Sequence, residues 1–496
     1  MVKAYDRADT DDIMYSISKS GIKGKLWRLT RAMNEGLTAH VNTKAGPTRQ
    51  IQRETGGKQG GKLIVPLFAK MMDNLAEDME SNPDLGVQFS DVIIRALLYV
   101  DDAITIAEGY DQQELTLNEA SDFAVKHKFS WGPKKCRTME VGSHKEERSS
   151  WKLGDHEISK CDSYKYLGDY ISRDGKNAEN LKERGEKAKA VVRTIITCCK
   201  SEIMVKIGVT TMIRLHEAET IPTLLYNAET WTLTATEKKS LDLVEIAALK
   251  KMVGLPQTTP TAGIILTTGT MFTTIRIEIK QLLFLQRILR RENSQWTKAL
   301  LINMKEENIS WAKQIEETLE KWNLETDWEQ IGKKSVPQWK NEVLTAAEEQ
   351  NANRLLEECR TKLRGEIKSK TKTKYVETLV NEPSYERAID PVLVKYPSIT
   401  YARALIMARF GMLQCANNYS VKYGGKMCKK CNEIDDESHR INYCQNYTSI
   451  NFCDNDEKIN FEDIFSSDVD KCYEVLRVIL SMWDLENGKN EMRCGE

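Results

Sequence analysis

Two adjacent aspartates, Asp101 and Asp102, lie between two short apolar runs, Val92–Val100 and Ala103–Ala107. Short runs rich in β-branched residues are typical of strands, so we predict a tight turn between two strands here. Such a turn presents both carboxylates at an exposed edge. Mg²⁺ prefers carboxylate oxygens together with substrate phosphates, and two-metal nucleotidyl transfer needs such ligands. From the dipeptide alone, an ordinary solvated turn is the alternative.

A second set of metal-ligating residue types lies near the C-terminus, with the spacing C-x2-C-x7-H-x4-C. Its members are Cys428, Cys431, His439 and Cys444. Two thiols separated by two residues grip one ion from a tight turn, and a histidine with a further cysteine completes the tetrahedron that Zn²⁺ prefers. Cys415 and Cys453 are rival ligands, and four unrelated reduced residues are the alternative.

The surrounding pattern predicts the elements that position these residues. Apolar residues at helical spacing indicate helices around residues 8–33, 64–80 and 111–127, and alternation with turn signals indicates short strands within 136–172. Asp111 with Glu114, and Thr234 with Glu237, are spaced as capping boxes at helix starts. Beyond residue 176 the pattern is mainly helical, as at Ile309–Trp322, and a basic arm follows at 360–375.

Five segments resemble motifs of reverse transcriptases, in the family's order. Ala96–Asp102 resembles the central aspartate motif and is preceded by a segment similar to the glycine–glutamine motif. The five segments are Gly57–Phe68, Ala96–Asp102, Gly132–Cys136, Tyr164–Gly168 and Leu224–Trp231. The last resembles a segment after the palm of LINE-type (non-LTR retrotransposon) enzymes, which usually have glycine where this chain has Asn227. The resemblance covers about residues 1–255.

The resemblance implies an RNA-directed DNA polymerase with an RNA template, a DNA primer and deoxynucleoside triphosphates as partners. It implies that Asp101 and Asp102 are catalytic and bind Mg²⁺. The residues that it places at nucleotide or nucleic acid are Gln59, Gly60, Tyr99, Lys135, Tyr166, Leu167 and Gly168. Surface or turn roles for Gln59 and Lys135, and core packing for Tyr166 and Leu167, stay open.

The start of the chain bears on activity. Lys3–Asp6 matches the end of an earlier motif of the family, whose first aspartate is the third metal carboxylate and would precede Lys3 by three residues. That aspartate and the fingers region are absent from this chain, so we expect it not to polymerise by itself. Asp9, Asp11 and Asp12 are expected to be solvated charges at a helix N-terminus rather than substitutes.

LINE-type proteins often carry a similar Cys-Cys-His-Cys knuckle after the polymerase. Zinc knuckles contact single-stranded nucleic acid through basic and aromatic side chains. Candidates here are Lys426, Lys429, Lys430, Arg440 and Tyr443, whereas Asp435, Asp436 and Glu437 oppose such binding. The knuckle is therefore either a nucleic-acid contact or a purely structural module.

The resulting fold expectation is α+β. An antiparallel sheet backed by helices forms a partial palm at 1–175, followed by a helical thumb-like region at 176–300. A further helical region at 301–420, the knuckle at 421–450 and a tail at 451–496 complete the chain. The alternatives to the enzyme are a non-catalytic nucleic-acid-binding relic, which keeps the palm, helical region and knuckle, and a helical scaffold protein.

Composition limits the remaining function classes. Lys plus Arg total 72 and Asp plus Glu total 73, so the net charge does not indicate a surface that binds nucleic acid. The sequence has no apolar run long enough for a membrane span and no apolar region typical of a secretory signal near Met1. Twelve dispersed cysteines indicate reduced thiols and an intracellular location, which the resemblance narrows to the nucleus. The sequence does not predict an oligomeric state.

Overall fold

The computed structural model describes most of the chain, which divides into two compact units. Unit 1 comprises Met1–Asn177 and Arg291–Ile309, and unit 2 comprises Ala178–Arg290 and Ser310–Glu496. The described residues are 9–36, 38–44, 46–52, 62–89, 92–142, 150–200, 207–292, 296–362, 388–413, 415, 424–445, 447 and 459–486.

The described helices follow one another from residue 10 to residue 486. They are α1 (Thr10–Lys19), α2 (Gly24–Asn34), α3 (Ile64–Ser81), α4 (Tyr110–Lys126), α5 (Ala178–Lys200), α6 (Val209–Leu215), α7 (Ile221–Leu224), α8 (Ala235–Val253), α9 (Thr261–Thr268), α10 (Thr273–Leu289), α11 (Trp296–Glu306), α12 (Ser310–Lys321), α13 (Trp328–Lys333), α14 (Val336–Lys362), α15 (Pro391–Lys395), α16 (Ile399–Arg409) and α17 (Val469–Glu486). Short 3-10 turns lie at Pro133–Lys135, Ala228–Thr230 and Phe461–Phe465, and π-turns at His216–Thr220 and His439–Tyr443.

The described strands all belong to unit 1 and pair as antiparallel two-stranded hairpins. They are β1 (Thr38–Ala39), β2 (Asn42–Thr43), β3 (Gly46–Pro47), β4 (Ile51–Gln52), β5 (Val87–Phe89), β6 (Val92–Ile94), β7 (Ala96–Tyr99), β8 (Asp102–Thr105), β9 (Ser150–Leu153), β10 (His156–Ser159), β11 (Ser163–Tyr166) and β12 (Asp169–Ser172). The pairs are β1 with β4, β2 with β3, β5 with β6, β7 with β8, β9 with β10, and β11 with β12. The α+β class is thus confirmed, with separate small sheets.

The core of unit 1 lies between α1, α3 and α4. Along α3, Phe68, Met72, Leu75 and Met79 recur at helical spacing and are almost fully buried. Each contributes roughly 1.5–3 kcal/mol by leaving water. Trp151 of β9 adds to the same core. This core therefore supports the hairpins with apolar packing from several helices.

Unit 2 is helical in its described part and contains buried ion pairs. The Glu245 carboxylate is 1% exposed at its side chain and lies near the His216 ring and the Arg276 guanidinium. Its second oxygen accepts a hydrogen bond from the Thr273 hydroxyl. Burial opposes ionisation of Glu245, but His216 and Arg276 outweigh it, so the pKa of this carboxyl is lowered.

The predicted caps had different outcomes. Thr234 caps α8 and forms the predicted capping box with Glu237. The capping box predicted at Asp111 and Glu114 is wrong, because α4 begins one residue earlier and its N-cap is Gly109, which has no side chain to cap with. Within the described part of the chain, no helix is both long and apolar enough to cross a membrane.

Candidate functional sites

The adjacent aspartates lie at a two-residue hairpin turn, as predicted. Tyr99 pairs with Asp102, so the chain reverses over Val100 and Asp101 alone. Val100 has a φ of 57°, a left-handed conformation that β-branched residues rarely adopt. Such strain is on the order of 1–3 kcal/mol and persists where the surroundings enforce it. Asp101 is half-buried and Asp102 is exposed, so both carboxylates lie at a sheet edge.

A second hairpin of unit 1, β11–β12, lies close enough for its tyrosines to sense the charge of Asp102. Burial raises the pKa of Tyr164 and of Tyr166, and the negative charge of Asp102 raises both further. This hairpin turns over Leu167 and Gly168, whose φ angles of 48° and 89° are both left-handed, as in a type I′ turn. The fold therefore brings two predicted segments together.

Tyr164 joins this second hairpin to the predicted lysine segment. Its hydroxyl donates a hydrogen bond of 2.8 Å to the backbone carbonyl of Lys135, at the end of the Pro133–Lys135 turn. The Lys135 side chain is exposed. The sequence placed Tyr164 in a motif without giving it this role, because the contact spans 29 residues of chain.

The other predicted nucleic-acid residues lie at different depths. Tyr99 is 59% exposed and Leu167 is 39% exposed, whereas Tyr166 is half-buried. Core packing alone therefore does not account for Leu167, and the roles of these residues stay predictions. Gln59 and Gly60 lie outside the described residues, as do Lys3–Asp6 of the earlier motif and most of the 360–375 basic arm.

No third ligand joins Asp101 and Asp102 within reach of one ion, so far as the described residues go. Asp9 is instead the N-cap of α1, where its side chain accepts the Asp11 N–H at 2.9 Å. The Lys128 ammonium lies 2.9 Å from the Asp9 carboxylate, and the hydrogen bond between them lowers the pKa of Asp9. Asp9 therefore caps the start of α1, but its side chain is 21% exposed and paired with Lys128, so it is less solvated than predicted. Asp12 lies 3.3 Å from the buried His127 ring and is likewise not fully solvated.

The four predicted sulfur and nitrogen ligands converge in unit 2. One ligand atom from each of Cys428, Cys431, His439 and Cys444 lies within 4.8 Å of the others. The Cys444 sulfur lies 3.8 Å from that of Cys428 and 3.9 Å from that of Cys431. Zinc–thiolate bonds of about 2.3 Å in a tetrahedron place sulfurs about 3.8 Å apart. The sulfur spacing thus fits one tetrahedral ion.

Local backbone structure builds this cluster. Cys428 and Cys431 share a tight turn in which the Asn432 N–H donates to the Cys428 carbonyl, with Asn432 in the left-handed region. The π-turn His439–Tyr443 brings the histidine next to Cys444. Burial acts to raise the pKa of Cys428. Backbone N–H groups of the turn and the neighbouring ligands outweigh burial and lower this pKa to about 7, which favours thiolate.

His439 has the environment of a ligand rather than of a core histidine. It is 5% exposed, and neither ring nitrogen makes a well-oriented hydrogen bond to another described residue. A buried imidazole without partners is unfavourable unless another group uses its nitrogens. The Glu433 carboxylate lies 3.2 Å from Nδ1, an arrangement that orients ligating histidines in metal sites. The sequence did not single out Glu433.

The acidic residues beside the cluster have structural roles. Asp435 makes two hydrogen bonds of 2.7 and 2.9 Å with Arg440, and Asp436 accepts the His439 N–H. Arg440 is therefore occupied by Asp435. Of the rival ligands, Cys415 is buried but is not part of the cluster, and Cys453 lies outside the described residues.

Comparison with protein families agrees with the site in unit 1. Residues 1–171 match the family model of reverse transcriptase (RNA-dependent DNA polymerase). The matched range contains the Asp101–Asp102 hairpin, the Lys135 turn, and β11 with most of β12. The structure places these three segments close to one another. The match spans the N-terminal 171 of the 496 residues, and this part of the chain is therefore similar to reverse transcriptases.

Proposed function

We propose that this chain performs, or descends from an enzyme that performs, RNA-directed DNA synthesis by two-metal nucleotidyl transfer. The supporting observation is the clustering of the Asp101–Asp102 hairpin, the Lys135 turn and the Tyr164–Gly168 hairpin inside the matched domain. Asp101 and Asp102 would hold Mg²⁺, and the bound ion would supply activation of the primer 3′ hydroxyl and charge stabilisation of the leaving pyrophosphate. Lys135 faces the triphosphate, and Tyr166 to Gly168 contact the primer.

We propose further that catalysis by the chain alone is weak. Asp101 and Asp102 are the carboxylates that the described residues contribute, and neither is enclosed. Two carboxylates alone hold Mg²⁺ loosely, because the ion keeps its waters unless several anionic ligands replace them. Appreciable synthesis therefore needs a further carboxylate from outside the described residues.

Primer extension tests both statements. The purified chain is incubated with an RNA template, a DNA primer, deoxynucleoside triphosphates and Mg²⁺ or Mn²⁺. Any extension should fall by about a hundredfold or more in Asp101→Asn/Asp102→Asn, because a metal ligand set is lost. Asp155→Asn, which alters an exposed turn aspartate of β9–β10, is the matched control. Extension that survives the double change contradicts the assigned site, and fast synthesis by the unaltered chain contradicts weak catalysis.

We propose that the chain is of the LINE type, because of the Leu224–Trp231 segment that follows the matched range. Leu224, Ala228 and Trp231 are buried in one cluster of unit 2. Asn227 has a φ of 62°, in the left-handed region that glycine and asparagine adopt most readily. Asparagine therefore satisfies the same backbone requirement as the glycine usual in LINE-type enzymes. This agreement supports the assignment.

We propose that the Cys428–Cys431–His439–Cys444 cluster binds one Zn²⁺ and holds its module together. The sulfur spacing, the buried imidazole and the soft donor set all fit zinc. Metal analysis of the purified chain, repeated after chelation and zinc reloading, tests this. We expect about one zinc per chain and loss of local structure on chelation. Protein that contains no zinc and folds unchanged removes the proposal.

A non-catalytic nucleic-acid-binding role is the second candidate, favoured by the surface around the cluster. Lys426, Lys429, Lys430 and Tyr443 are exposed there, whereas Arg440 is paired. Fluorescence anisotropy with RNA, DNA and hybrid duplexes over a salt series measures this role, since phosphate contacts make affinity salt-dependent.

Charge-reversal variants localise any such binding. Lys429→Glu/Lys430→Glu should weaken it, whereas Lys313→Glu/Lys340→Glu changes the same net charge at exposed positions of α12 and α14. Equal weakening by both pairs indicates non-specific attraction. Binding without extension supports the non-catalytic role, and absence of both leaves the scaffold alternative.

A further inference from the structure

Helices α5 and α8 of unit 2 lie side by side and line a groove. At Gly185 of α5, an added Cβ would lie 3.9 Å from the Val244 Cγ2 atom of α8, and Val244 also lines the groove. The groove has a volume of about 430 Å³ and is open to solvent.

The groove has an apolar floor. Val192 of α5, Leu224 of α7 and Ala248 of α8 are buried beneath its surface, whereas Leu243 is 56% exposed and Val244 and Ala247 are half-buried along α8. Neighbouring apolar side chains that water still reaches are a feature of interaction sites. An occupant therefore needs an apolar face to bind in the groove.

The rim of the groove is basic. Lys189, Arg193 and Lys251 line it. Lys189 is 2.8 Å from Glu186, an exposed pair three residues apart that holds it only weakly. Neither Arg193 nor Lys251 has an ion pair in the described part of the chain. The rim is thus complementary in charge to an acidic occupant.

The length of the groove sets the size of the occupant. Its lining on α8 runs from Ser240 to Lys251, which spans about 16 Å at 1.5 Å per residue. That length equals about three turns of helix. Three-turn helices bind grooves through apolar residues at positions i, i+4 and i+7.

We propose that this groove binds an acidic, amphipathic helical segment of a partner protein. Its apolar face lies on Leu243, Val244 and Ala247, and its acidic flanks pair with Arg193 and Lys251. Nucleic acid fits less well, because single strands bind through aromatic stacking and no aromatic side chain is among the described residues that line the groove.

Fluorescence anisotropy of the full chain with a labelled peptide of about 14 residues tests the proposal, the length being three turns with ends. The peptide carries leucine at i, i+4 and i+7 and glutamate on the flanks, and a second peptide replaces each glutamate by lysine. We expect at least about tenfold tighter binding of the acidic peptide. Arg193→Glu/Lys251→Glu should remove that preference. Lys182→Glu/Lys239→Glu, on the same helices away from the groove, should not.

Thermal unfolding of Arg193→Glu/Lys251→Glu separates a binding role from a structural one. We expect this variant to melt close to the unaltered chain, because both side chains are exposed, yet to lose the preference for the acidic peptide. Failure of the acidic peptide to saturate, or equal affinity in Arg193→Glu/Lys251→Glu, overturns the proposal. So does an RNA that binds through these residues while the peptide does not.

Discussion

The Cys/His cluster and the aspartate hairpin both offer metal ligands, but the fold treats them in opposite ways. Around Cys428 and His439 the ligands come from two backbone turns, converge within 4.8 Å and are mostly buried. At Asp101 and Asp102 the two carboxylates lie on one exposed turn, and the described residues add no third. A resident ion requires a complete site, because its binding energy becomes folding energy.

The hairpin has the character of a site for an ion that arrives with its substrate. Mg²⁺ is commonly bound by one or two carboxylates, with phosphates and water completing its octahedron. An open edge leaves room for them, whereas thiolates and imidazole close a tetrahedron around a softer ion. The difference teaches that burial and ligand number separate a structural metal from a catalytic one.

The largest expected effect concerns the buried Cys/His cluster. Cys444→Ser removes the sulfur that lies nearest two others, so zinc affinity should fall on the order of a thousandfold. Metal analysis and competition with a chromophoric chelator measure the loss. Cys415→Ser, at a buried cysteine outside the cluster, should retain about one zinc. Loss of zinc in Cys415→Ser instead would reassign the fourth ligand.

Asp9 tests whether a nearby acidic residue belongs to the fold or to the metal. Asp9→Ala should lower the free energy of unfolding by about 1 kcal/mol, because the α1 N-cap is lost. Hydrogen bonding from Lys128 lowers the folded-state pKa of Asp9, so its charge stabilises the protein above the unfolded-state pKa. That stabilisation disappears as pH falls through the lowered pKa.

Denaturant titrations of the unaltered chain and of Asp9→Ala, from pH 7 into the acid range, measure this dependence. Asp9→Asn keeps a capping oxygen without the charge and should lose less stability than the alanine variant. A stability gap that stays constant below pH 3 contradicts the ion pair with Lys128. Reduced primer extension at unchanged stability would instead make Asp9 a metal ligand.

A smaller effect concerns the hairpin beside the aspartates. Leu167→Asn places the preferred Asn-Gly pair at a type I′ turn, so stability should rise by about 0.5–1 kcal/mol. Thermal unfolding measures the gain, with Lys165→Asn on the adjacent exposed strand position as the control. Weaker primer binding at higher stability would assign Leu167 a contact with nucleic acid. A lower melting temperature contradicts the turn assignment.

The smallest expected effect concerns the contribution of the aspartate hairpin to stability. Asp101→Asn/Asp102→Asn should change the free energy of unfolding by no more than about 0.5 kcal/mol, because exposed polar changes rarely matter for folding. Zinc content should also be unchanged. Calorimetry with metal analysis checks both values. Marked destabilisation would show that these carboxylates support the fold, and the contrast between the two regions would then fail.

Local patterns in the chain predicted much of this architecture. The helix through Phe68 and Met79, the strand–turn–strand at Asp101 and the Thr234 cap follow from period, turn and capping chemistry within a few residues. The Asp111 cap failed because capping depends on which residue the preceding loop leaves at the helix start, and that residue is Gly109. The Gln59 segment stays a prediction.

The same apolar spacing led to different burial in two neighbouring helices. Ile13 and Ile17 are buried, whereas Leu29 and Met33, also four residues apart in the next helix, are more than half exposed. Spacing determines that apolar side chains share one face, but it does not determine whether another element covers that face.

The sequence by itself determined the residue types and local turns at both metal-binding regions, since ligand spacing and hairpin length are short-range properties. Only the tertiary structure decided which groups meet across long stretches of chain. Tyr164 reaches the Lys135 carbonyl, Glu433 lies beside the His439 ring, and α5 and α8 leave a basic-rimmed groove. Such contacts depend on how helices and turns pack, because side-chain packing and burial are set by the whole fold rather than by neighbours in sequence.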